Sequence, residues 1–404
     1  MVSRITKLLL LVCCISFMIS SCSKKYSSDD SLTPQYSPSV IIGSNTGILY
    51  AYNPSTGVKN WELSLGNSIW ASPLTYRGRL YVGVVNLTST SGGVCDTLYK
   101  IDPKTGKIVK RMTVDGASPY TFGFRATPIA DGKLIYLATT GDSLFAIDTG
   151  TGAVAWRKGT DVSGMISSPV IVGDQLYVAT TGGNVYAFDK ATGALIWNNP
   201  TVPGRRFESS PAVNDSLLFI GSTTDSNMYC INLRKAPGYT PGVTNWTHKT
   251  GGAIKSSPAA LAGRVIFGAN DNYVYSVDET TNIENWRFRT LTKEVVSSPV
   301  ISADKKLVYI GGTDHILYAL NVADGTVGWT YPTNGSITSS PLAYKGTVFI
   351  GSYDKVLYAI DEQSHSLKWI TTVGGDIDCS PAVEDYSNVQ HNSQISGYVN
   401  GVTN

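Results

Sequence analysis

The sequence is poor in the residues from which enzyme active sites are most often built. It has four histidines, His248, His315, His365 and His391, and none forms a cluster with cysteines or carboxylates at metal-site spacing. It also contains no G-x-S-x-G nucleophile elbow and no glycine-rich phosphate loop. These absences argue against a metalloenzyme, a serine hydrolase and a nucleotide-binding enzyme. They predict a protein without catalytic residues and without a cofactor.

Net charge and long apolar runs are lacking as well. The chain has 32 basic and 30 acidic residues, and removal of the first 21 residues with Arg4 and Lys7 leaves 30 of each (32 − 2 = 30). A basic surface is the main requirement for nucleic acid binding, so the balance argues against that class. After Ile19 no segment is apolar enough to predict a membrane span.

The first 21 residues have the pattern of an export signal. Arg4 and Lys7 precede the apolar run Leu8–Ile19, which is short for a bilayer span. The sequence that ends in Ser20-Ser21-Cys22 resembles the lipobox of bacterial lipoproteins, in which the signal is removed before an acylated cysteine. The resemblance implies lipidation of Cys22, and an ordinary secretory signal is the alternative.

The residues after Cys22 are polar and without periodicity, which is typical of a flexible tether. We therefore predict a signal peptide over 1–21, a lipidated cysteine and tether over 22–36, and one folded domain over 37–404. Ser23 rather than aspartate follows the cysteine, and resemblance to enterobacterial lipoproteins then implies the outer membrane. These residues leave open whether the protein faces the periplasm or the exterior.

One sequence unit recurs eight times after the tether. Each copy has an apolar–aromatic pair, then Asn or Asp three residues later, and seven copies continue to a tryptophan. These tryptophans are Trp61, Trp156, Trp197, Trp246, Trp286, Trp329 and Trp369. A Ser-Pro or Thr-Pro pair recurs at spacings of 55, 41, 42, 47, 41, 42 and 40 residues. A period of about 42 residues with four short strands is typical of a β-propeller blade.

The turn between the aromatic residue and the tryptophan also repeats. Its key position is filled by Gly57, Gly106, Gly152, Gly193, Gly242, Asn282, Gly325 and His365. A tight hairpin needs φ > 0 at one position, and glycine, asparagine and histidine accept that most readily. The large tryptophan ring is then expected to pack between neighbouring blades.

The motif A-x-[DN]-x-x-T-G-x-x-x-W resembles the tryptophan-docking motif of pyrroloquinoline-quinone (PQQ) repeat propellers. It is complete at Ala51–Trp61, Ala146–Trp156 and Ala187–Trp197, and it recurs with small departures in three later copies. The resemblance extends over about Val40 to Val383. The predicted fold class is all-β, an eight-bladed β-propeller of four-stranded antiparallel blades.

The two ends of the chain are predicted to close the ring. The first copy lacks a full inner strand before VIIGS, and DIDCSPAV near the C-terminus supplies an extra one. We expect these segments to pair in one blade. In the alternative, QISGYVNG begins a ninth unit.

Alignment of the copies on the proline separates constant from variable positions. Two residues before the proline all side chains are small, and Cys379 belongs to this column, as Cys230 belongs to another small column, so both are predicted to be buried and unreactive. Three residues before the proline the type varies: Trp70, Arg125, Ile166, Glu208, Lys255, Val296, Thr338 and Asp378. We expect this position to begin the strand nearest the axis, at the channel mouth.

The same face is expected to carry the longest insertions. These are the connector Val114–Phe124, with Tyr120 and Phe122, and the loop Asn86–Thr97, while Pro203-Gly204-Arg205-Arg206 adds positive charge. The predicted binding residues at the mouth are therefore Trp70, Arg125, Glu208, Lys255, Asp378, Tyr120 and Phe122. Aromatic and arginine side chains on a rigid scaffold suit recognition. The alternative is that the charges neutralise one another around a water-filled channel, and that the loops vary without a partner.

The chain as a whole resembles the BamB-type lipoproteins, which assist outer-membrane barrel assembly. The resemblance implies a non-catalytic, monomeric scaffold with a membrane anchor and an envelope protein partner, such as an outer-membrane barrel assembly protein. Two alternatives remain, a PQQ-dependent dehydrogenase with Ca²⁺ in the channel, and a glycan-binding protein that uses Trp70, Tyr120 and Phe122. Against the dehydrogenase, blades of about 42 residues leave little room for a cofactor. The adjacent cysteines of many quinoproteins occur here only as Cys13-Cys14 in the signal peptide.

Overall fold

A computed structural model describes most of the predicted domain. The described residues are 38–84, 95–115, 123–141, 143–160, 163–199, 205–235, 237–261, 263–291, 294–385 and 391–392. The predicted signal peptide, Cys22 and the tether lie outside them. In the part of the chain that the structure describes there are 33 strands, and no helix has the length and hydrophobicity needed to cross a membrane.

The strands form eight antiparallel sheets, which we number as blades 1 to 8. Blades 2 to 4 are β4–β7 (Leu74–Tyr76, Arg79–Val84, Cys95–Ile101, Ile108–Asp115), β8–β11 (Ile129–Asp131, Leu134–Ala138, Ser143–Asp148, Val154–Gly159) and β12–β15 (Val170–Val172, Gln175–Ala179, Val185–Asp189, Leu195–Asn198). Blades 5 and 6 are β16–β19 (Ala212–Asn214, Leu217–Gly221, Asn227–Asn232, Thr244–Lys249) and β20–β23 (Ala259–Leu261, Arg264–Gly268, Tyr273–Asp278, Glu284–Arg289). Blades 7 and 8 are β24–β27 (Val300–Ile301, Leu307–Gly311, Ile316–Asn321, Val327–Pro332) and β28–β31 (Leu342–Tyr344, Thr347–Gly351, Val356–Asp361, Leu367–Thr372).

Blade 1 joins the two ends of the described chain. Its strands are β1 (Ser39–Gly43), β2 (Ile48–Tyr52), β3 (Lys59–Ser64), β32 (Ala382–Glu384) and β33 (His391–Asn392), in the order β3-β2-β1-β32-β33. Val40 pairs with Val383, so the inner strand comes from the C-terminal end of the chain. The predicted eight-bladed propeller and its closure by the two termini are confirmed. The segment QISGYVNG of the alternative lies outside the described residues.

The blades bury their middle strands and expose one face of the outer strand. Four of the five residues in β17 and in β21 are buried, as expected for strands covered by neighbouring sheets on both faces. The outer strand β23 alternates between exposed and more buried residues, and its buried residue is Trp286. Burial therefore increases from the rim of each blade toward its second and third strands.

Each tryptophan of the repeat fastens its blade to the next one. The ring lies over the turn residue of the neighbouring blade, and a Cβ added to Gly57 would come within 2.7 Å of the ring of Trp369. The same indole donates its N–H to the carbonyl of Pro54, at 3.0 Å. Trp61, Trp156, Trp246 and Trp286 make the corresponding bond to the residue after the Asn or Asp of the following turn. Packing and a directional hydrogen bond thus act together at these junctions.

The turn residues have the backbone conformation that the sequence predicts. Gly57 has φ = 71°, Asn282 has φ = 63° and His365 has φ = 58°. At the blade 7–blade 8 junction the ring of His365 stacks on Trp329, with centroids 5.2 Å apart. A histidine therefore replaces the usual glycine without loss of the contact, because its flat ring lies parallel to the indole.

Blade 2 is the exception that the sequence anticipates. Lys110 occupies the tryptophan position, opposite Lys100, and the Gly152 turn of blade 3 meets Lys110 and Met112 instead of an indole. The Lys110 ammonium donates to the carbonyl of Thr151. Two flexible side chains thus fill a space that a rigid ring fills in seven other blades.

Two glycine-to-alanine replacements separate the cost of positive φ at the turn from the cost of a clash with the tryptophan ring. Gly57→Ala places a Cβ both in the left-handed region and against Trp369, and we expect a loss of about 2–5 kcal/mol in stability. Gly132 also has positive φ but nothing lies within 4 Å of its added Cβ, so Gly132→Ala should lose only about 1–2 kcal/mol. Thermal unfolding followed by calorimetry compares the variants. Equal losses would show that the ring contact does not matter.

Candidate functional site

The variable position lies on the segment that leads into each inner strand. Trp70 precedes the first residue of β4 by four positions, and the same offset separates Asp378 from the first residue of β32. The expectation that this position begins the inner strand is therefore wrong. The strand begins only after the proline, because proline has no N–H for a ladder hydrogen bond.

All eight variable residues line one cavity of about 140 Å³. We call Trp70, Arg125, Ile166, Glu208, Lys255, Val296, Thr338 and Asp378 the axial ring. Since each blade contributes one of them, the cavity lies on the propeller axis. The structure thus brings together Trp70, Arg125, Glu208, Lys255 and Asp378, and their role in binding stays a prediction.

The charged members of the axial ring differ in their partners. The Arg125 guanidinium lies 4.6 Å from the ring centre of Trp70, and Arg206 forms an ion pair of 2.7 Å with Glu208. Tyr353 donates its hydroxyl to Asp378, and burial and this bond raise the pKa of the tyrosine. Among the described residues, Arg125 and Lys255 form no ion pair. Two cations therefore face the mouth without a carboxylate partner.

A second ring, two residues closer to each proline, was not anticipated. It consists of hydroxyl residues only, and we call it the hydroxyl belt: Ser72, Thr127, Ser168, Ser210, Ser257, Ser298, Ser340 and Ser380. Seven backbone N–H groups of this belt donate to the hydroxyl of the next blade, at 2.8–3.1 Å. The signal was present in the sequence, because every proline of the repeat follows serine or threonine.

The hydroxyl belt ties the backbone beside the axial ring to the neighbouring blades. Each belt residue comes two positions after an axial ring residue, and seven of the eight belt N–H groups are bonded to the neighbouring blade. A buried N–H without a partner is costly, so each link holds its segment in place. The axial side chains vary in chemistry, but their backbone positions are set by the belt.

Other predicted elements of the mouth have different outcomes. Tyr120, Phe122 and most of the two long insertions lie outside the described residues. Arg205 is 4% exposed and lies over the rings of Phe207 and Tyr229, so its predicted contribution to a basic mouth is wrong. Its charge is buried against aromatic faces rather than displayed. Arg206 remains partly exposed, but it pairs with Glu208.

The two described cysteines whose side chains are placed are buried thiols. Cys379 lines the axial cavity by its position, but its sulfur is hydrogen-bonded to Gly43 of β1, at 3.2 Å from the nitrogen. Ser209 and Ser339 make the same bond in blades 5 and 8. Burial raises the pKa of the Cys379 thiol to about 12, and that of Cys230 also to about 12. Both therefore serve packing, as the sequence predicts.

The cavity does not fit PQQ or a metal ion of the kind quinoproteins use. Its volume of about 140 Å³ is below the ~300–1,000 Å³ typical of ligand pockets. In the described part of the chain, no group of three His, Cys, Asp or Glu side chains has metal-binding geometry. Glu208 and Asp378 stand in different blades and are engaged by Arg206 and Tyr353. The residues present therefore offer no cofactor cradle.

Comparison with known proteins identifies the repeat architecture. The family described as outer membrane protein assembly factor BamB matches residues 46–281 and 205–386. The crystal structure of BamB from Moraxella catarrhalis is similar with a TM-score of 0.64 and 22% identity, covering 81% of this chain and 92% of that chain. A europium-containing methanol dehydrogenase has the same TM-score of 0.64 with 13% identity, covering 80% and 83% of the two chains. At these identities the structures share the fold.

Curated relatives match over shorter stretches. Protein Rv3035 of Mycobacterium tuberculosis is 41% identical over 61 residues, which is 15% of this chain and 15% of that protein. Tetrathionate hydrolase of Acidithiobacillus ferrooxidans is 27% identical over 146 residues, which is 33% of this chain and 28% of the hydrolase. The chain thus spans less than a third of either relative's length.

One serine in the hydroxyl belt and one outside it test how much the belt contributes to stability. Ser210→Ala removes the acceptor of the buried Ser168 N–H, and we expect a loss of about 1–3 kcal/mol in the free energy of unfolding. Ser167 has a buried hydroxyl without a partner among the described residues, so Ser167→Ala should be neutral or slightly stabilising. Denaturant unfolding of both variants provides the comparison. A belt that contributes nothing would give equal stabilities.

The raised thiol pKa predicts slow alkylation. Only the thiolate reacts, and with a pKa of about 12 Cys379 forms almost none at pH 8. We expect iodoacetamide to label Cys379 in the folded protein at least about 1,000-fold more slowly than in denaturant, where a free thiol has a pKa near 8.5. Peptide mass spectrometry measures both rates. Rapid labelling in the folded state at pH 8 would show that the thiol is neither buried nor protonated.

Proposed function

The chain belongs to the family of outer membrane protein assembly factor BamB, and from this premise we propose that it is a non-catalytic propeller scaffold that binds an envelope protein. The observation that carries the proposal is the axial ring. Aromatic, basic, acidic, aliphatic and hydroxyl side chains line one cavity, at backbone positions next to the hydroxyl belt. Rigid presentation of variable side chains is what a recognition surface requires, because little entropy is lost on binding.

The charges of the axial ring indicate what the partner presents. Glu208 and Asp378 already have partners, whereas Arg125 and Lys255 form no ion pair among the described residues. A partner segment with acidic side chains would form ion pairs with these two cations. Arg125 also lies against Trp70, and arginine and tryptophan are the residues most often found at interface hot spots. We therefore infer an acidic protein segment that docks on the mouth.

The finer assignment follows the family. We propose that the protein is a monomeric lipoprotein of the outer membrane, anchored through Cys22, and that its partner is an outer-membrane barrel or a component of barrel assembly. Support comes from the family match over residues 46–386 and from the fold shared with BamB of Moraxella catarrhalis. The lipobox-like sequence before Cys22 supports the anchor.

The two alternatives have less support. The fold shared with a methanol dehydrogenase speaks for a PQQ enzyme, but the axial cavity fits neither the cofactor nor its metal. Glycan binding would need an open aromatic face, and Arg125 lies over the ring of Trp70. We therefore favour protein binding over both.

A pull-down with the full-length chain tests the proposal. The bait is purified in nonionic detergent and incubated with detergent-solubilised envelope of the native host, and captured proteins are identified by mass spectrometry. We expect an outer-membrane barrel protein or an assembly component with the wild type. The Arg125→Glu/Lys255→Glu variant should reduce capture at least about 10-fold, because charge reversal repels an acidic partner.

The control reverses two lysines elsewhere on the surface. Lys305 and Lys306 are exposed on the β24–β25 turn, at the opposite ends of the strands from the axial ring. Lys305→Glu/Lys306→Glu should capture the partner as well as the wild type. Equal capture by all three baits would reject the mouth as the binding face. If no barrel or assembly protein is captured, and PQQ or a glycan binds instead, the scaffold proposal is wrong.

A further inference from the structure

Blade 2 departs from the repeat at two facing positions. In the seven other blades a small residue pairs with the tryptophan across strands three and four, as Ala51 does with Trp61. In blade 2 these positions hold Lys100 and Lys110, which are direct cross-strand partners. Like charges directly opposite one another destabilise a sheet. A pair of lysines at such positions destabilises the blade, unless another group in contact with them offsets the repulsion.

Part of the structural role of the missing tryptophan is taken over by these lysines. Lys100 donates to the carbonyl of Thr149 at 2.8 Å, and Thr149 follows Asp148 just as Pro103 follows Asp102 at the Trp61 junction. The ammonium of Lys100 has three N–H donors, of which this bond uses one. Burial lowers the pKa of Lys100, and the neighbouring cations Arg79 and Lys110 lower it further.

The space beside Lys100 is a cleft of about 390 Å³. We call it the basic cleft, and its polar lining includes Tyr76, Arg77, Arg79, Lys100, Lys104 and Thr149. No carboxylate is among the described residues that line it. The nearest acidic influence on Lys100 is Asp148, whose carboxylate accepts hydrogen bonds from Gly150 and Thr151 in its own turn.

The turn that supplies two of these cations is unusual among the blades. Arg77 lies in the turn between β4 and β5, Arg79 is the first residue of β5, and both are exposed. The same turn carries a carboxylate in four other blades: Asp131, Asp174, Asp215 and Asp304. The Arg77 guanidinium lies 5.3 Å from the ring centre of Tyr76, which holds it at the edge of the cleft. Four cations therefore converge without a carboxylate in the lining.

The topology places the basic cleft on the same face as the start of the described chain. The inner strand of each blade ends at this face, where a turn leads to the second strand. In blade 1 the end of β32 and the start of β1 take the place of that turn, and Ser39 lies opposite Glu384. Blade 2 is the neighbour of blade 1, and Thr75 of β4 donates to the carbonyl of Val383 in β32. The axial ring, which precedes the inner strands, lies at their other ends.

The length of the tether sets how far a membrane anchor lies from this face. Residues 22 to 38 are separated by 16 peptide units (38 − 22 = 16), which span at most about 55 Å when fully extended. A chain anchored through Cys22 can therefore bring the basic cleft to the bilayer surface. Tethering raises the effective concentration of headgroups, so even a weak site would be filled.

We propose that the basic cleft binds the phosphate group of a membrane lipid and holds this face of the propeller against the bilayer. Arg77, Arg79 and the lysines of the cleft suit a phosphate. A guanidinium can donate two parallel hydrogen bonds to phosphate oxygens, and a lysine ammonium adds a compact positive charge. The axial ring then points away from the membrane, toward a protein partner. The choice of a lipid as the source rests on the proposed anchor at Cys22, whereas the site rests on the cleft itself.

A titration in micelles tests the site without the protein partner. The full-length chain in nonionic detergent is titrated with micelles of the same detergent that carry phosphatidylglycerol, with micelles that carry diacylglycerol, and with inorganic phosphate. Saturable binding is expected for phosphatidylglycerol only. Arg77→Gln/Arg79→Gln should weaken it about 30-fold, at about 1 kcal/mol for each basic residue near anionic lipid. Both side chains are exposed, so the variant should keep the wild-type melting temperature.

The matched control neutralises the equivalent turn of blade 7. Lys305→Gln/Lys306→Gln removes the same number of charges from the same face, next to Asp304, and should bind as the wild type does. Equal binding by the cleft variant and the wild type would overturn the site. Binding of inorganic phosphate as tight as that of the lipid would overturn the membrane source. Equal binding of diacylglycerol would show that the phosphate is not recognised. None of these results depends on the pull-down.

Discussion

The contact between a tryptophan and the turn of the next blade is the constraint on which the rest of the structure depends. A propeller blade has its own ladder of hydrogen bonds, but it buries its faces only against its neighbours. The indole supplies a large apolar surface to that junction, and at five junctions its N–H adds a hydrogen bond to the turn, as Trp369 does with Pro54 at the ring closure. Positive φ at the turn brings the two blades close enough for this contact.

The hydroxyl belt is the counterpart of this contact at the axis. It links seven of the eight inner segments to the next through a serine hydroxyl, so the blades are joined both near the rim and near the axis. Side chains can then vary at positions that take part in neither the tryptophan contact nor the hydroxyl belt. The axial ring is one such place, because Arg125 and Lys255 change the chemistry of the mouth without changing the backbone. Blade 2 is the other, because Lys100 keeps a hydrogen bond to the next turn in place of the indole.

The two variable regions face opposite ways, and this orders the proposed interactions. The axial ring precedes the inner strands and the basic cleft follows them, so a partner at the first does not compete with a membrane at the second. Both surfaces present cations, but in different settings. Arg125 is flanked by an aromatic ring at a small polar cavity, whereas Arg77 and Arg79 open onto a larger cleft. The first setting suits an acidic protein segment, and the second suits a phosphate.

The sequence by itself determined the fold, because eight copies of one motif leave a single way to bury their faces. Turn positions such as Gly57 and His365, the closure of blade 1, the burial of Cys379 and the convergence of the axial residues all follow from the repeat. Three features required the tertiary structure. The inner strand begins after the proline rather than before it. Arg205 is buried between Asn199, which follows blade 4, and Tyr229 of blade 5. The belt and the basic cleft join residues of different blades. A repeat fixes what each blade does internally, but contacts between side chains of neighbouring blades depend on distances that only the closed ring sets.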